Sequence, residues 1–214
     1  MIQALNTLLK QPILFSSLNL PWRWLQHGLL AVETVPPLTT PLPVWDDAQL
    51  VQRLVDGESD ALGLIYDRYA ASLYRVLNAL LSSPTDAEDA LQEVFVTLAT
   101  GKVSRIRDLK SYLFVAARHQ AYSTLRRRKR EHGFEDIDSL ELAAPEKATV
   151  HQDWAALLTR LPLEQREVIA LKVWEEMTFV EIAKVVRASP NTVMSRYRYG
   201  IERLRTWCRE DEHD

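Results

Sequence analysis

The stretch TFVEIAKVVRASPNTVMSRYRY, residues 178–199, predicts two short helices joined by a tight turn. Thr178 and Glu181 form a capping-box pattern ahead of an apolar run, in which each side chain satisfies a free N–H group near the other. Ser189 then caps the next helix, and Pro190 fits its first position because its missing N–H costs nothing there. Two capped helices around a tight turn are typical of a helix-turn-helix.

The second of these helices presents polar and basic side chains near its N-terminus. Such side chains reach base edges and phosphates when that end of a helix enters the major groove of DNA. A short helical hairpin without a role in DNA binding would share the capping pattern, but the basic excess favours DNA. The residues predicted to contact duplex DNA are Ser189, Asn191, Thr192, Ser195, Arg196 and Arg198.

Helical periodicity also extends through most of the chain before this motif. Apolar residues recur at three- and four-residue steps over residues 45–81, about 84–100 and 109–130. Residues 57–59 and 83–86 predict breaks between helices. The residues predicted to face inward on the last two helices are Ala87, Leu91, Val94, Phe95, Leu98, Leu113, Phe114, Ala117, Ala121 and Leu125. Glycine is scarce, with six residues, and no stretch of any length alternates like a strand. The sequence therefore predicts an all-α fold of two small helical domains, joined by a flexible acidic linker, with the helix-turn-helix in the second domain.

The predicted organisation has four segments. An N-terminal extension, disordered or loosely helical, covers residues 1–44; helical domains cover 45–130 and 151–210; the linker covers 131–150. The extension has few charges and a proline-rich end, which fits a disordered tail, a docking segment, or upstream sequence translated from a wrongly chosen start. Its longest uncharged run is too short and too polar to cross a bilayer, and it lacks a secretory signal. We therefore expect no membrane insertion and a cytoplasmic location.

The net charge of −3 conceals four blocks of alternating sign. Residues 46–95 contain ten acidic and three basic residues, whereas residues 102–132 contain ten basic and two acidic ones. Residues 131–153 are acidic again, and residues 184–209 are basic. Ordinary solvated helix faces would explain any one block, but the alternation favours separate faces for a polyanion and for a basic partner.

Five segments together carry a family resemblance. They are LIYDRY (64–69), DAEDALQEVF (86–95), YLFVAAR (112–118), LPLEQREV (161–168) and NTVMSR (191–196). In this order they resemble regions two and four of the extracytoplasmic-function class of bacterial RNA polymerase sigma factors, over residues 46–205. The resemblance implies a non-enzymatic factor without a cofactor, which binds core RNA polymerase and directs promoter recognition, DNA opening and transcription initiation. It also allows an anti-sigma factor as a partner, since such factors commonly have one.

The resemblance assigns two further sets of residues. An acidic helix would bind the polymerase, which charge complementarity would steer, through Asp86, Glu88, Asp89, Gln92 and Glu93. Basic and aromatic residues would handle the downstream promoter element, including single-stranded DNA, and the loop at residues 101–108 would hold an extruded base. That second set comprises Asn78, Lys102, Arg105, Arg107, Tyr112, Arg118, Tyr122, Arg126, Arg127 and Arg128.

Departures from the family pattern leave the promoter sequence open, among them Tyr197 and Tyr199, which follow Arg196 in place of the commoner Leu and His or Arg. Arg187 stands where the family usually has glycine in the turn, and His119 and Ser123 stand where Asn and Asp are common. If the turn needs a left-handed backbone, Arg187 costs roughly 1 kcal/mol relative to glycine. The contacts to the downstream element are therefore expected to differ from those of the family.

Two other classes of protein were weighed against a sigma factor. A free-standing helix-turn-helix regulator that does not bind polymerase would leave the acidic helix unexplained, and a helical decoy or adaptor would leave the basic stretches unexplained. An enzyme is disfavoured because the sequence shows no phosphate loop and no nucleophile–base signature. Cys208 is the single cysteine, and Glu175 and Glu176 are adjacent, so they point in different directions on a helix.

Overall fold

The computed structural model describes residues 45–132 and 157–210. Throughout these two ranges every regular element is helical, as the periodicity predicted. The first range contains α1 (Asp47–Val55), α2 (Ser59–Leu81), α3 (Pro84–Thr100), a 3₁₀ turn (Val103–Arg105) and α4 (Leu109–His132). The second contains α5 (Leu163–Val173), α6 (Phe179–Val186) and α7 (Pro190–Glu210). The extension at residues 1–44 and nearly all of the predicted linker lie outside the described residues.

Local capping explains where the first helices begin. Asp46 and Gln49 form a capping box on α1, with both hydrogen bonds at 2.8 Å. Ser83 caps α3 and Pro84 opens it. The chain leaves α2 through Ser82, which adopts a left-handed conformation with φ 51°. The breaks predicted around Gly57 and Ser83 are therefore confirmed.

Helices α2, α3 and α4 pack around the core of the first domain. The inward residues predicted for α3 and α4 are all buried, and Phe95 and Phe114 belong to the core. Burying large aromatic and aliphatic side chains is the dominant source of stability in such a bundle. This core fixes the directions of the remaining faces of the three helices. The confirmed inward set is Ala87, Leu91, Val94, Phe95, Leu98, Leu113, Phe114, Ala117, Ala121 and Leu125.

The helix-turn-helix is formed by α6 and α7, with α5 packed against both. Thr178 caps α6 by accepting from the Glu181 main-chain N–H, while the Glu181 carboxylate accepts from the Thr178 main-chain N–H at 2.7 Å. Gly200 lets α7 approach α5 closely, because a Cβ there would lie 2.6 Å from Ile169 Cδ1. Val193 and Leu204 complete the buried stripe of α7.

The two helical domains also contact each other. Helix α5 packs on α2 and helix α6 packs on α4, so the described residues from Asp46 onward form one compact unit. Glu175 and Glu176 lie in the turn after α5 and not on a helix as expected, and there they diverge: the Glu175 side chain is buried and Glu176, at φ 54°, is exposed. The contact between domains bears directly on the predicted site residues.

Candidate nucleic-acid and polymerase interfaces

The N-terminal end of α7 presents part of the predicted duplex-binding set to solvent. Asn191 and Arg198 are exposed, in the first and third turns of the helix respectively. Ser189 and Thr192 are exposed too, but the Ser189 Oγ accepts from the Thr192 main-chain N–H at 3.1 Å and the two hydroxyls lie 2.8 Å apart. These two side chains therefore shape the helix terminus as well as being available to a ligand.

Arg196 and Ser195 are only half-exposed. The Arg196 guanidinium forms an ion pair with Glu164 of α5, inside the same domain. Ser195 lies on the outer side of the helix, one turn after Asn191. Of the two arginines predicted to contact DNA from this helix, Arg198 is the one directed to solvent.

Two apolar residues on α7 were missed by the sequence analysis. Met194 is 48% exposed and Tyr199 is 50% exposed, both among polar and basic neighbours. Met194 lies at helical spacing from Asn191 and Arg198, so it shares their face. That spacing could have identified Met194 as an exposed residue of the DNA-binding face, but an apolar residue in a helix is first expected to pack in the core. The Arg198 guanidinium lies 5.1 Å from the Tyr199 ring centroid and orders this edge of the helix.

Arg187, at the turn between α6 and α7, has φ 55° and ψ 48°. The turn therefore requires the left-handed conformation in which glycine is usual, and here it is occupied by arginine. Arg187 is exposed, and its positive charge acts on His119 of α4. Partial burial first, and then Arg187 with Arg118 and Arg126, lower the pKa of His119.

The loop between α3 and α4 carries the exposed basic residues Lys102, Arg105 and Arg107. Gly101 begins it, where a Cβ would lie 2.6 Å from the Thr97 main-chain oxygen and 3.5 Å from the Tyr112 hydroxyl. Tyr112 is half-buried beside this position. The loop thus follows a path that only glycine allows at its first residue.

A cleft of about 590 Å³ lies between this loop and α1. Its walls include Asp47, Val51, Ile106 and Asp108. Asp47 accepts from Tyr69 at 2.5 Å and from Arg68 at 2.7 Å, so its carboxylate is held in place. The cleft combines these apolar and acidic walls with Arg107, so it offers both hydrogen-bond acceptors and donors to a small polar group.

The basic end of α4 divides into exposed and engaged residues. Arg126 and Arg127 are exposed. Arg128 forms an ion pair with Asp86 of α3 and donates to the Leu81 main-chain oxygen at 3.0 Å. Burial lowers the pKa of Arg128. The structure therefore joins Arg128, predicted to bind DNA, to Asp86, predicted to bind polymerase.

Arg118 and Tyr122 face the second domain instead of solvent. The Tyr122 hydroxyl donates to Glu167 Oε2 at 3.1 Å, and Arg118 Nε lies 2.9 Å from Glu167 Oε1. This second contact is an ion pair without the alignment of a hydrogen bond. The Arg118 guanidinium also stacks 4.2 Å from the Tyr122 ring centroid. Burial raises the pKa of Glu167 and of Tyr122.

Asn78, the remaining predicted residue, is half-buried near the end of α2. Its main-chain oxygen accepts from the Ser82 N–H at 2.8 Å. Asn78 therefore lies on the turn that ends α2.

The acidic helix α3 has one exposed face. Asp89, Gln92, Glu93 and Val96 are exposed and lie at spacings of three, four and seven residues, which places them on one side of the helix. Val96 is 52% exposed, and the sequence analysis did not select it. Glu88 is half-exposed at the border of this face and, after burial, is the second cause of the raised pKa of Tyr74. This face therefore combines the negative charges of Asp89 and Glu93 with the apolar side chain of Val96.

The described residues offer neither a metal site nor a membrane-spanning helix. Within the described ranges, 45–132 and 157–210, there is no group of His, Cys, Asp and Glu side chains able to hold a metal ion. Over the same ranges, no helix is both long and apolar enough to cross a membrane.

Comparison with known proteins gives matches on both domains. The family model for Sigma-70 region 2 matches residues 65–131, and that for Sigma-70, region 4 matches residues 151–204. The chain is 25% identical over 178 residues to the ECF RNA polymerase sigma factor SigW of Bacillus subtilis, covering 75% of this chain and 95% of SigW. It is 29% identical over 160 residues to SigX of the same organism, covering 66% of this chain and 80% of SigX.

Two solved structures share the fold. One is CnrH in complex with the cytosolic domain of CnrY, with a TM-score of 0.57 and 21% identity over 76% of this chain and 96% of CnrH. The other is the sigma factor RpoE in complex with the anti-sigma factor NepR from Bartonella quintana. It has a TM-score of 0.54 and 25% identity over 64% of this chain and 89% of RpoE. With regions two and four in order, and with these relatives, the chain belongs to the extracytoplasmic-function family of RNA polymerase sigma factors, which bind core polymerase and direct it to promoters.

Proposed function

We propose that this sigma factor divides its work among three surfaces. The exposed face of α3 docks on core RNA polymerase, the N-terminal end of α7 reads the upstream promoter element as duplex, and the α3–α4 loop with the end of α4 engages the downstream element. The observation that carries this proposal is the separation of charge on exposed faces: acidic on α3, basic on the loop, on the end of α4 and on α7. The factor acts in the cytoplasm without catalysis of its own, and the polymerase supplies the chemistry.

The α3 face supports polymerase docking through its chemistry. Asp89 and Glu93 offer two carboxylates one turn apart, which suits a partner that presents basic side chains. Val96, at the end of the same face, adds an apolar contact of the kind found at the centre of protein interfaces. Asp86 contributes less to this surface, because Arg128 already holds its carboxylate.

Downstream binding is supported by the loop and its cleft. Lys102, Arg105 and Arg107 can neutralise phosphates from an exposed position, and Arg126 and Arg127 extend the positive surface. The cleft against α1 has room for a single base and fixed polar groups to recognise it. We propose that an unpaired base enters this cleft as the duplex opens.

Upstream recognition is supported by the exposed end of α7. Asn191 can pair with a base edge, and Arg198 can reach a phosphate or a guanine. Met194, between them, can contact a thymine methyl group. Arg196 first has to leave Glu164 before it contacts DNA, so its contribution is smaller than that of Arg198.

The test of polymerase docking is co-elution of the full chain with bacterial core RNA polymerase. Asp89→Lys/Glu93→Lys should lose binding, because two exposed carboxylates on the proposed interface are reversed. Glu131→Lys/Glu202→Lys is the matched control, since it makes the same charge change at exposed sites on α4 and α7. Equal loss in both variants would refute the placement on α3, and no binding by the wild type would favour a free-standing helix-turn-helix regulator.

We also propose an anti-sigma partner. The structural relatives CnrH and RpoE were solved with CnrY and with the anti-sigma factor NepR, respectively. A tagged copy expressed in its native host should co-purify with one protein whose addition blocks polymerase binding. If polymerase is recovered but no co-purifying protein inhibits the factor, the proposal is wrong.

A further inference from the structure

The surface between the two domains contains an ionic cluster built around Glu167. The Glu167 side chain is only 2% exposed, although glutamate side chains are rarely buried unless they are paired. Its ion-pair and hydrogen-bond partners, Arg118 and Tyr122, come from α4 of the other domain, and the charge of Arg196 in its own domain contributes less. A buried carboxylate without those partners would be strongly unfavourable, so its burial depends on the domains being in contact.

A second buried charge spans the same surface. Arg166, 4% exposed, donates from Nη1 to the main-chain oxygens of Ala79 and Leu80, at 3.3 and 3.4 Å, across the domain boundary. Its Nη2 donates to Thr159 and Leu161 in its own domain, at 2.5 and 2.9 Å. The guanidinium therefore connects the two domains through main-chain groups. Burial lowers the pKa of Arg166 to about 10.

A third contact between the domains lies just after the C-terminal end of α5. Arg75 of α2 donates to Glu175 Oε1 at 3.2 Å, and Lys110 of α4 donates to the Glu175 main-chain oxygen at 3.0 Å. Two carboxylates of the second domain, Glu167 and Glu175, thus neutralise basic side chains of the first. Carboxylates in these positions occupy the donors that phosphate oxygens would use.

We infer that this chain has a closed, self-inhibited conformation, in which Glu167 latches the second domain onto Arg118 and Tyr122 and withholds them from promoter DNA. The inference rests on the proposed function, because it regulates two residues of the proposed downstream surface. The exposed groups on α3, on the α3–α4 loop and on α7 remain accessible in the closed state. Polymerase can therefore dock first, and separation of the domains then releases Arg118 and Tyr122.

The experiment measures the distance between the domains in the free, full-length protein. Spin labels are placed at two exposed positions, Ala99→Cys on α3 and Arg203→Cys on α7, in a Cys208→Ser background. Pulsed electron resonance should give one narrow distance distribution for the closed state. A broad distribution in the wild type would overturn the inference.

Glu167→Gln is the decisive variant. It keeps the shape of the side chain but removes the charge that faces Arg118, so the open population should rise by at least about tenfold. Tyr122→Phe, which removes only the hydroxyl donor, should give a smaller rise in the same direction. Glu93→Gln is the matched control, because it removes the same charge from an exposed position on α3 and the distance should not change. A Glu167→Gln distribution identical to that of the control would refute the latch.

Charge reversal provides a check against simple misfolding. Glu167→Arg should open the domains, and Arg118→Glu added to it should restore the narrow distribution, because the pair is re-formed with opposite signs. Failure of the double variant to close, with both single variants open and helical by circular dichroism, would contradict a direct pairing.

Adding core polymerase to the labelled wild type then links the latch to function. A shift to longer distances supports release on docking, whereas polymerase binding with no shift would overturn that step. The first measurement needs neither polymerase nor DNA. If polymerase does not bind at all, the proposed function fails while the closed state of the free protein still stands on its own data.

Discussion

Arg187→Gly is expected to stabilise this protein. Arg187 adopts φ 55° and ψ 48°, where the Cβ of any residue other than glycine is crowded against the main chain. Relief of that crowding contributes roughly 1–2 kcal/mol. Glycine loses more chain entropy on folding, which offsets roughly 0.5–1 kcal/mol. The net gain in the free energy of unfolding is therefore about 1 kcal/mol.

Urea unfolding followed by circular dichroism measures this gain. With a urea dependence of about 2 kcal/mol per molar, the midpoint should rise by roughly 0.5 M at an unchanged slope. Arg187→Ala is the matched control, because it removes the positive charge that acts on His119 but keeps the strained backbone. Equal stabilisation by the alanine and glycine variants would show that charge, and not backbone conformation, limits the stability of the turn.

Three further outcomes are expected. Gly200→Ala should lower the free energy of unfolding by about 1–3 kcal/mol, because the added Cβ would lie 2.6 Å from Ile169 Cδ1. An unchanged urea midpoint would mean that the Ile169 side chain moves aside without cost. Hydrogen bonds from the main chain and hydroxyl of Thr178 lower the pKa of Glu181 below its usual 4.5, so its stabilising effect is present above pH 4.5 and lost as pH falls through the lowered value. The difference in the free energy of unfolding between the wild type and Glu181→Gln should therefore vanish as pH falls through that range. A difference that persists there would contradict a role for the Glu181 charge. Arg198→Ala should reduce the salt slope of duplex binding by about 0.9, more than Arg196→Ala does; the reverse order would assign the phosphate contact to Arg196.

Local structure could be predicted from this sequence because its determinants are a few residues apart. The capping pair Thr178 and Glu181, the break at Gly57 and the inward stripe with Phe114 all depend on neighbours within one or two helical turns. Spacing alone fixes which residues share a face. The same rule places Val96 on the face of α3 that carries Asp89 and Glu93, whereas the acidic set predicted for this helix came from the family resemblance.

The contacts between domains could not be predicted in this way. Tyr122 and Glu167 are separated by 45 positions, and Arg75 and Glu175 by 100. Nothing in the local pattern distinguishes an arginine that will meet phosphate from one that will meet a distant carboxylate, because both use the same donors. For Arg118 and Tyr122, the DNA contact predicted from the sequence stays a prediction, and the structure adds an internal partner to each.

The C-terminal end of α2 has a consequence for dividing this protein into fragments. Its last turn contains no basic residue. Its final carbonyl groups accept hydrogen bonds from arginines that are distant in sequence: Leu81 from Arg128, and Ala79 and Leu80 from Arg166. These carbonyl groups form the negative pole of the helix, which cationic side chains stabilise. A fragment cut at the boundary of the region-two match keeps Arg128 but loses Arg166. The region-two and region-four domains are therefore distinct in sequence but not structurally independent, because Arg166 of the second domain caps the C-terminal end of α2 in the first.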